Sequence, residues 1–412
     1  MPEAARYSTE TYCPTQSPGG AGGTMNDHET SVSKISRGTV SGDTAPDNRS
    51  LDAYRAIGDP VLDPLITSYS AARIGEMLGS LFQQDSLPLD DERFRPLLES
   101  LPPVISNDPR ALERGQRLFQ LYGPEVLLIL GCYGLPASYA AANGVQVLFR
   151  ARRLADDTQR RLCETAQMLI NVMQPGALLD GGIGLRSTLK VRLMHALIRR
   201  HVELMQHLDP WLDDWGKPIN QEDLAGTLLT FSALVLDGLL RIGAPLSEAE
   251  QQGYLDTWCH LGRLLGIDER LLPVSLPYAR DLAARIARRQ FRYSDEGRIL
   301  VRDLIRVTNG LFPVPGYGLS LMHYFLDQSV FGMSLAEILD LPKPNWTRYL
   351  VRARAAQKKL YFRLLAAVPG ARKRRSRMAG KFVQALILLE RPDKQSPFEV
   401  PDELRSAWGL LS

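Results

Sequence analysis

The stretch QPGALLDGGIGLRSTLKVRLMHALIRRHVELMQH, residues 174–207, decides how the chain folds. It opens on the turn formers Pro175, Gly176 and Gly181-Gly182-Ile183-Gly184, then carries Leu193, Ala196, Leu197 and Leu204 at helical spacing with no further proline. Before the turn, Arg161, Thr165, Met168 and Val172 repeat at the same period. Two helices joined by a short turn run antiparallel. With Asp180 as the midpoint, Thr165 and His195 lie fifteen residues either side of the bend, which predicts that they stand at equal height and face one cavity.

The rest of the chain extends this pattern. Ser247-x-x-Glu250 has the spacing of a capping box, Tyr254, Trp258, Leu261 and Leu265 form the stripe behind it, and Gly266 stands ready as a left-handed terminator. Pro218 and Asn220 introduce a helix with Leu224, Leu228, Phe231 and Val235 on one face, ending near Gly243. Further helices are predicted over 107–121, 156–173, 185–208, 274–290, 295–309, 345–367 and 372–390, and no stretch alternates like a strand. The fold class is therefore all-α. Residues 1–50 are rich in Ser, Thr, Gly and Asp without apolar periodicity and read as a disordered tail; 51–345 form the helical domain, and 346–412 a basic helical extension packed on it.

Composition narrows the function. At 412 residues and 44% apolar content the chain can build a large core. The nearest candidate for a membrane span, Gly226 to Leu240, is interrupted by Thr227, Thr230, Ser232 and Asp237, so no span is predicted. Nothing in the first residues resembles an export signal, and the expected compartment is the cytoplasm. Four scattered cysteines make neither a disulfide framework nor a zinc pattern, and Cys259-His260 lacks the upstream cysteine of a covalent haem site. Of the net charge of +3, a run of eleven Lys and Arg without an acid between Arg352 and Lys381 leaves −8 elsewhere. That asymmetry predicts one local anionic contact and no nucleic-acid partner. Arg372 to Arg377, followed by Phe382, Val383, Leu386 and Leu389, has the form of a cationic helix on an anionic membrane or of a solvated helix packed on the body.

The chemistry concentrates on Arg192, His195 and Arg199, spaced i, i+3, i+7, with one imidazole between two guanidiniums. Imidazole binds iron, and fork-shaped guanidiniums suit carboxylates such as the propionates of haem. The bland alternative is an amphipathic helix with its cations in water. His201, His207, His260 and His323 have no metal-binding partner spacing, and P-loop, nucleophile-elbow and dinucleotide fingerprints are absent.

Arg192-Leu-Met-His195-Ala-Leu-Ile-Arg199, together with Trp215-Gly216-Lys217-Pro218-Ile219-Asn220-Gln221-Glu222-Asp223-Leu224, resembles the latex clearing protein family of rubber oxygenases, whose wider family includes a fungal mycophenolic-acid oxygenase. The resemblance covers residues 60–345 and is strongest in the hairpin and the two helices after it. It implies a globin-like helical fold binding haem b, with His195 as the iron's proximal ligand, Arg192 and Arg199 holding histidine and haem, and Arg161 and Thr165 as the distal pair. It also implies that dioxygen is inserted across a carbon–carbon double bond. Two departures bear on substrate: Glu164 stands where rubber-cleaving members carry a lysine, and the family's candidate base has no clear counterpart, Gln146 being the nearest polar residue. The expected substrate is a small lipophilic, unsaturated or terpenoid compound. A haem-dependent hydroxylase and a non-catalytic helical ligand-binding protein are the alternatives.

Overall fold

A computed structural model describes residues 45–82, 87–88, 90–103, 108–154, 158–310, 312–327, 334–367 and 375, all within a compact unit that begins at Asp43. Most of the expected tail and of the helix expected over 372–390 lie outside the described residues. Among the described residues the fold is helical, with no strand and one isolated bridge between Ala141 and Phe291. In chain order the first elements are α1 (Asn48–Arg55), α2 (Leu62–Ile66), α3 (Ala71–Phe82), α4 (Arg95–Glu99), α5 (Pro109–Ile129) and α6 (Leu135–Tyr139). Then come α7 (Val145–Leu154), α8 (Thr158–Met173), α9 (Ile183–Leu204), α10 (Gln221–Phe231), α11 (Ala233–Arg241) and α12 (Glu248–Leu264). The chain continues through α13 (Leu276–Gln290), α14 (Asp295–Gly310), α15 (Tyr317–Leu326), α16 (Leu335–Ile338) and α17 (Thr347–Ala367).

Local chemistry explains the boundaries. Ser247 and Glu250 form the expected capping box of α12, each side chain taking up the other residue's backbone N–H, and Gly266 adopts φ +78° beyond its end. Asn220 caps α10 by accepting from the Asp223 N–H. Two expectations change. The helix expected from Asn220 to near Gly243 breaks at Ser232, whose hydroxyl donates back to the Leu228 carbonyl at 2.8 Å and competes with the backbone ladder. The helix expected to stop at 121 instead kinks at Tyr122, two residues before Pro124, and continues through a π-helical turn at Leu130–Gly134 into α6.

Two apolar clusters organise the packing. The larger gathers α5, α10, α11 and α12 around Tyr122, Val126, Ile129, Leu236, Tyr254 and Trp258. The smaller lies between α9 and the N-terminal helices, where Leu193, Ala196 and Leu197 meet Leu62, Ile66, Ile74 and Leu78. Helix α9 thus has one face in the second core and another against α8 and α12. Two continuous helical runs, Pro109–Tyr139 and Gln221–Arg241, are long and apolar enough to cross a bilayer, but most of the apolar stretch of each, 67% and 72%, is buried within the protein, as in core helices.

The α8–α9 hairpin depends on close approach at its bend: a Cβ on Gly184 would lie 2.8 Å from the Val172 Cα and 2.9 Å from the carbonyl oxygens of Asn171 and Ala177. Backbone cannot yield as a side chain can, so Gly184→Ala should cost about 1–3 kcal/mol. Urea unfolding would show this as a lower midpoint at unchanged slope, whereas Gly131→Ala, with nothing within 4 Å of the added methyl, should leave the midpoint unchanged or raised.

Candidate functional site

The hairpin's register decides which residues of α8 face His195. Asn171 Nδ2 donates across the hairpin to Ser187 Oγ at 2.9 Å, and Gly184 abuts Asn171 and Val172. These pairs put the midpoint at residues 178–179, not at Asp180, because Ala177 and Leu178 are tucked into the core and lengthen one arm. His195 is therefore level with positions 161–163 of α8, and Thr165 is offset by about 3–6 Å at 1.5 Å per residue. Thr165 and Glu164 are half-buried there. Arg161 belongs to the same helix, and its side chain lies outside the described residues.

Both arginines of the motif are buried and already engaged. Arg192 meets Asp59 through Nε at 2.6 Å and Nη2 at 3.1 Å, and its Nη1 donates to the Leu264 carbonyl at 3.3 Å. Arg199 forms the parallel pair with Asp63, its Nε lying 2.9 and 3.1 Å from the two carboxylate oxygens, and donates to the Ile219 carbonyl at 3.0 Å. The expectation that these guanidiniums serve propionates gives way to pairs within the chain, since a buried cation needs a carboxylate at hand. Burial alone would push Asp59 up, but the hydrogen bonds and charge of Arg192, with the N–H groups of Leu62 and Val61, hold its carboxyl below the usual carboxylate range. Sequence reasoning missed Asp59, in the short loop after Gly58, and Asp63, in the first turn of α2, both far along the chain from the hairpin.

The segment from Trp215 to Leu224 that carries the resemblance proves to be a clamp. Gln221 donates to the carbonyls of Gly58 at 2.7 Å and Gly266 at 2.9 Å, and accepts from the Asp268 N–H at 2.8 Å. Glu222, fully buried, is met by Arg55 at 3.1 Å and Arg289 at 2.7 Å. Lys217 joins Asp63 at 2.9 Å. Gly266 is packed so closely over Arg192 that a Cβ there would fall 2.7 Å from Nη2. The clamp ties the loop after α1 to α9, α10 and the end of α12.

Between the two arginines, His195 is half-buried, and its Nδ1 is enclosed without a hydrogen-bond partner among the described residues. Burial first, then the positive charge of Arg199, push its pKa down to about 3 against the opposing pull of Asp59, so the imidazole is neutral. A neutral imidazole is the form that ligates a metal. Among the described residues no group of three or more His, Cys, Asp or Glu side chains is arranged to hold an ion. A single neutral imidazole is the donor that a haem iron would take from the protein, so His195 fits that group. Elsewhere, Gln146 is buried on α7 with its side-chain carbonyl accepting from Arg150 at 2.8 Å. His260 is buried on α12 with Nε2 lacking a hydrogen-bond partner among the described residues, while His323 is held by Asp327 and the Pro342 carbonyl.

Removing one partner of a buried pair strands the other, so Asp59→Leu and Arg192→Met should each destabilise by about 3–5 kcal/mol, and the double variant by less than either. Chemical denaturation around this double-mutant cycle measures the coupling. Because the folded Asp59 carboxyl is depressed below 3.8, its contribution is complete above that pH and disappears as pH falls through the folded value. Asp59→Asn should accordingly flatten the loss of stability below that pH.

The catalytic-domain profile described as ER-bound oxygenase mpaB/B'/Rubber oxygenase matches residues 119–368. The Rubber oxygenase of Streptomyces sp. (strain K30) is 22% identical over 261 residues, which cover 60% of this chain and 62% of that protein's length. A solved structure of latex clearing protein LCP in the closed state superposes with a TM-score of 0.62 at 19% identity, over 80% of this chain and 91% of that one, which establishes a shared fold. With its helical architecture, its hairpin and more than half its length matched, the chain belongs to the ER-bound oxygenase mpaB/B' and rubber oxygenase family.

Proposed function

We propose that this chain is a haem b-dependent oxygenase that uses dioxygen to cleave a carbon–carbon double bond in a small lipophilic or terpenoid substrate. The observation that carries the reading is the His195 imidazole, neutral, with a buried nitrogen that has no partner among the described residues, on a helix whose rotation is fixed by two buried ion pairs. Bound there, haem would supply the activation of dioxygen needed for insertion across an alkene.

The chain's own residues have separable roles. His195 would hold the haem iron through its neutral imidazole. Arg192 and Arg199, held by Asp59 and Asp63, fix the rotation of α9 and with it the direction of the imidazole. Glu164 and Thr165, on the helix opposite, would supply polar groups beside the reacting atoms, Thr165 as a neutral hydrogen-bonding group for dioxygen or substrate, and Arg161, whose side chain lies outside the described residues, is assigned to the same distal group from the family resemblance alone. Leu162 and Met168 on the same helix are partly buried against the core, and such apolar neighbours favour an apolar substrate. A carboxylate at Glu164 in place of the lysine of rubber-cleaving members reverses the local charge, and this favours a substrate other than a bare hydrocarbon polymer.

An absorption spectrum of the purified protein, expressed with haem supplied, tests the central point. A strong haem band is expected; His195→Ala should lose most of it and His260→Ala should retain it, and a colourless wild-type protein would end the proposal. Thr165→Val should keep its haem and lower kcat by about tenfold or more, the loss expected on deleting one positioned polar group. Turnover under labelled dioxygen should place label in both carbonyl oxygens of the product. Label in a single hydroxyl would make the protein a hydroxylase instead.

A further inference from the structure

Helix α17 shows solvent a face that its packing does not use. Its inner side is fixed by Val351, Phe362 and Leu365, all buried, by the ring of Phe362 edge-on to Tyr122 at 5.6 Å, and by Lys358 reaching Glu125 at 2.8 Å. That rotation turns the opposite face outward. Trp346, just before the helix, and Tyr349, Leu360 and Leu364 on it are 63%, 58%, 58% and 59% exposed, and Ala353 and Ala356, also exposed, fill the gaps between them. The spacing from 346 through 349, 353, 356 and 360 to 364 is one continuous helical stripe. Arg348, Arg352, Lys359 and Arg363, all exposed, line one border of it. From Trp346 to Leu364 there are six Lys and Arg and no acid.

We infer that this face is a membrane-docking surface, on which α17 lies in the plane of an anionic lipid interface with Trp346, Tyr349, Leu360 and Leu364 among the acyl chains and the bordering cations at the headgroups. Charge selects the occupant. A stripe bordered along one side by four cations, on a helix without an acid, repels a second copy of itself, whereas an anionic bilayer satisfies the cations and the apolar stripe together. Trp and Tyr at one end of the stripe are the side chains that favour the interfacial zone. The anionic contact expected from the sequence over 372–390 lies outside the described residues except at Arg375. Arg375, within the most basic run, faces inward: it donates to Glu125 at 2.6 Å and stacks over Phe362 at 5.0 Å. The docking surface is independent of the reaction proposed above.

Co-sedimentation of the full chain with phosphatidylcholine vesicles, with and without phosphatidylserine, tests it. Binding should require phosphatidylserine and weaken with salt. Leu360→Glu/Leu364→Glu should lower partitioning by about tenfold or more, and Arg352→Glu/Lys359→Glu/Arg363→Glu should do the same, the range expected for losing two inserted side chains or three interfacial cations. Circular dichroism should be unchanged in both variants, because every substituted side chain is exposed. Absence of wild-type binding, or variants that bind as the wild type does, would overturn the assignment. So would a concentration-dependent dimer, abolished by the same substitutions in a protein that ignores vesicles.

Discussion

Two buried ion pairs, Arg192 to Asp59 and Arg199 to Asp63, set the orientation of everything at the candidate site. Each guanidinium is nearly excluded from water, so each must be matched by a carboxylate in fixed geometry, and fork-to-carboxylate pairing leaves little rotational freedom. The two arginines are seven residues apart, two turns of α9, so pinning both prevents the helix from rolling or sliding. His195 lies between them and inherits that rigidity. Gln221 and Lys217 then lock the acid-bearing loop, so the acids are themselves held rather than drifting with a surface segment.

The helical class, the hairpin and the capping box over Ser247 and Glu250 were legible because each rests on short-range chemistry: turn formers, apolar period and a side chain reaching its own backbone. The errors have a common origin in competition that periodicity does not see. Ser232 diverts a backbone acceptor, Pro124 kinks a helix without ending it, and Ala177 and Leu178 pack inward and shift the hairpin's midpoint away from Asp180. The Arg192, His195, Arg199 face could be found by spacing, but the destination of the two guanidiniums could not. Their partners are more than a hundred residues away, and nothing local in the run around Asp59 and Asp63 marks it as the other half of a pair.

The family match sharpens that point. It begins at residue 119, so it contains both arginines and the histidine and neither of the acids that hold them. The residues that carry the resemblance between Trp215 and Leu224 likewise read as a motif without a stated purpose until Gln221 and Glu222 are seen gathering Gly58, Gly266, Arg55 and Arg289. Much of what looks like a functional signature is the framework that aims one imidazole.

That framework also imposes an order on biosynthesis. Asp59 and Asp63 leave the ribosome well over a hundred residues before Arg192 and Arg199, and Gly266, which roofs Arg192, follows some seventy later. Until then the acids must stay hydrated, and the histidine's helix, even if formed, has no fixed azimuth. The surroundings of His195, framed by such distant partners, are complete only when about two thirds of the polypeptide has been synthesised, which makes their assembly a late event in the life of the nascent chain.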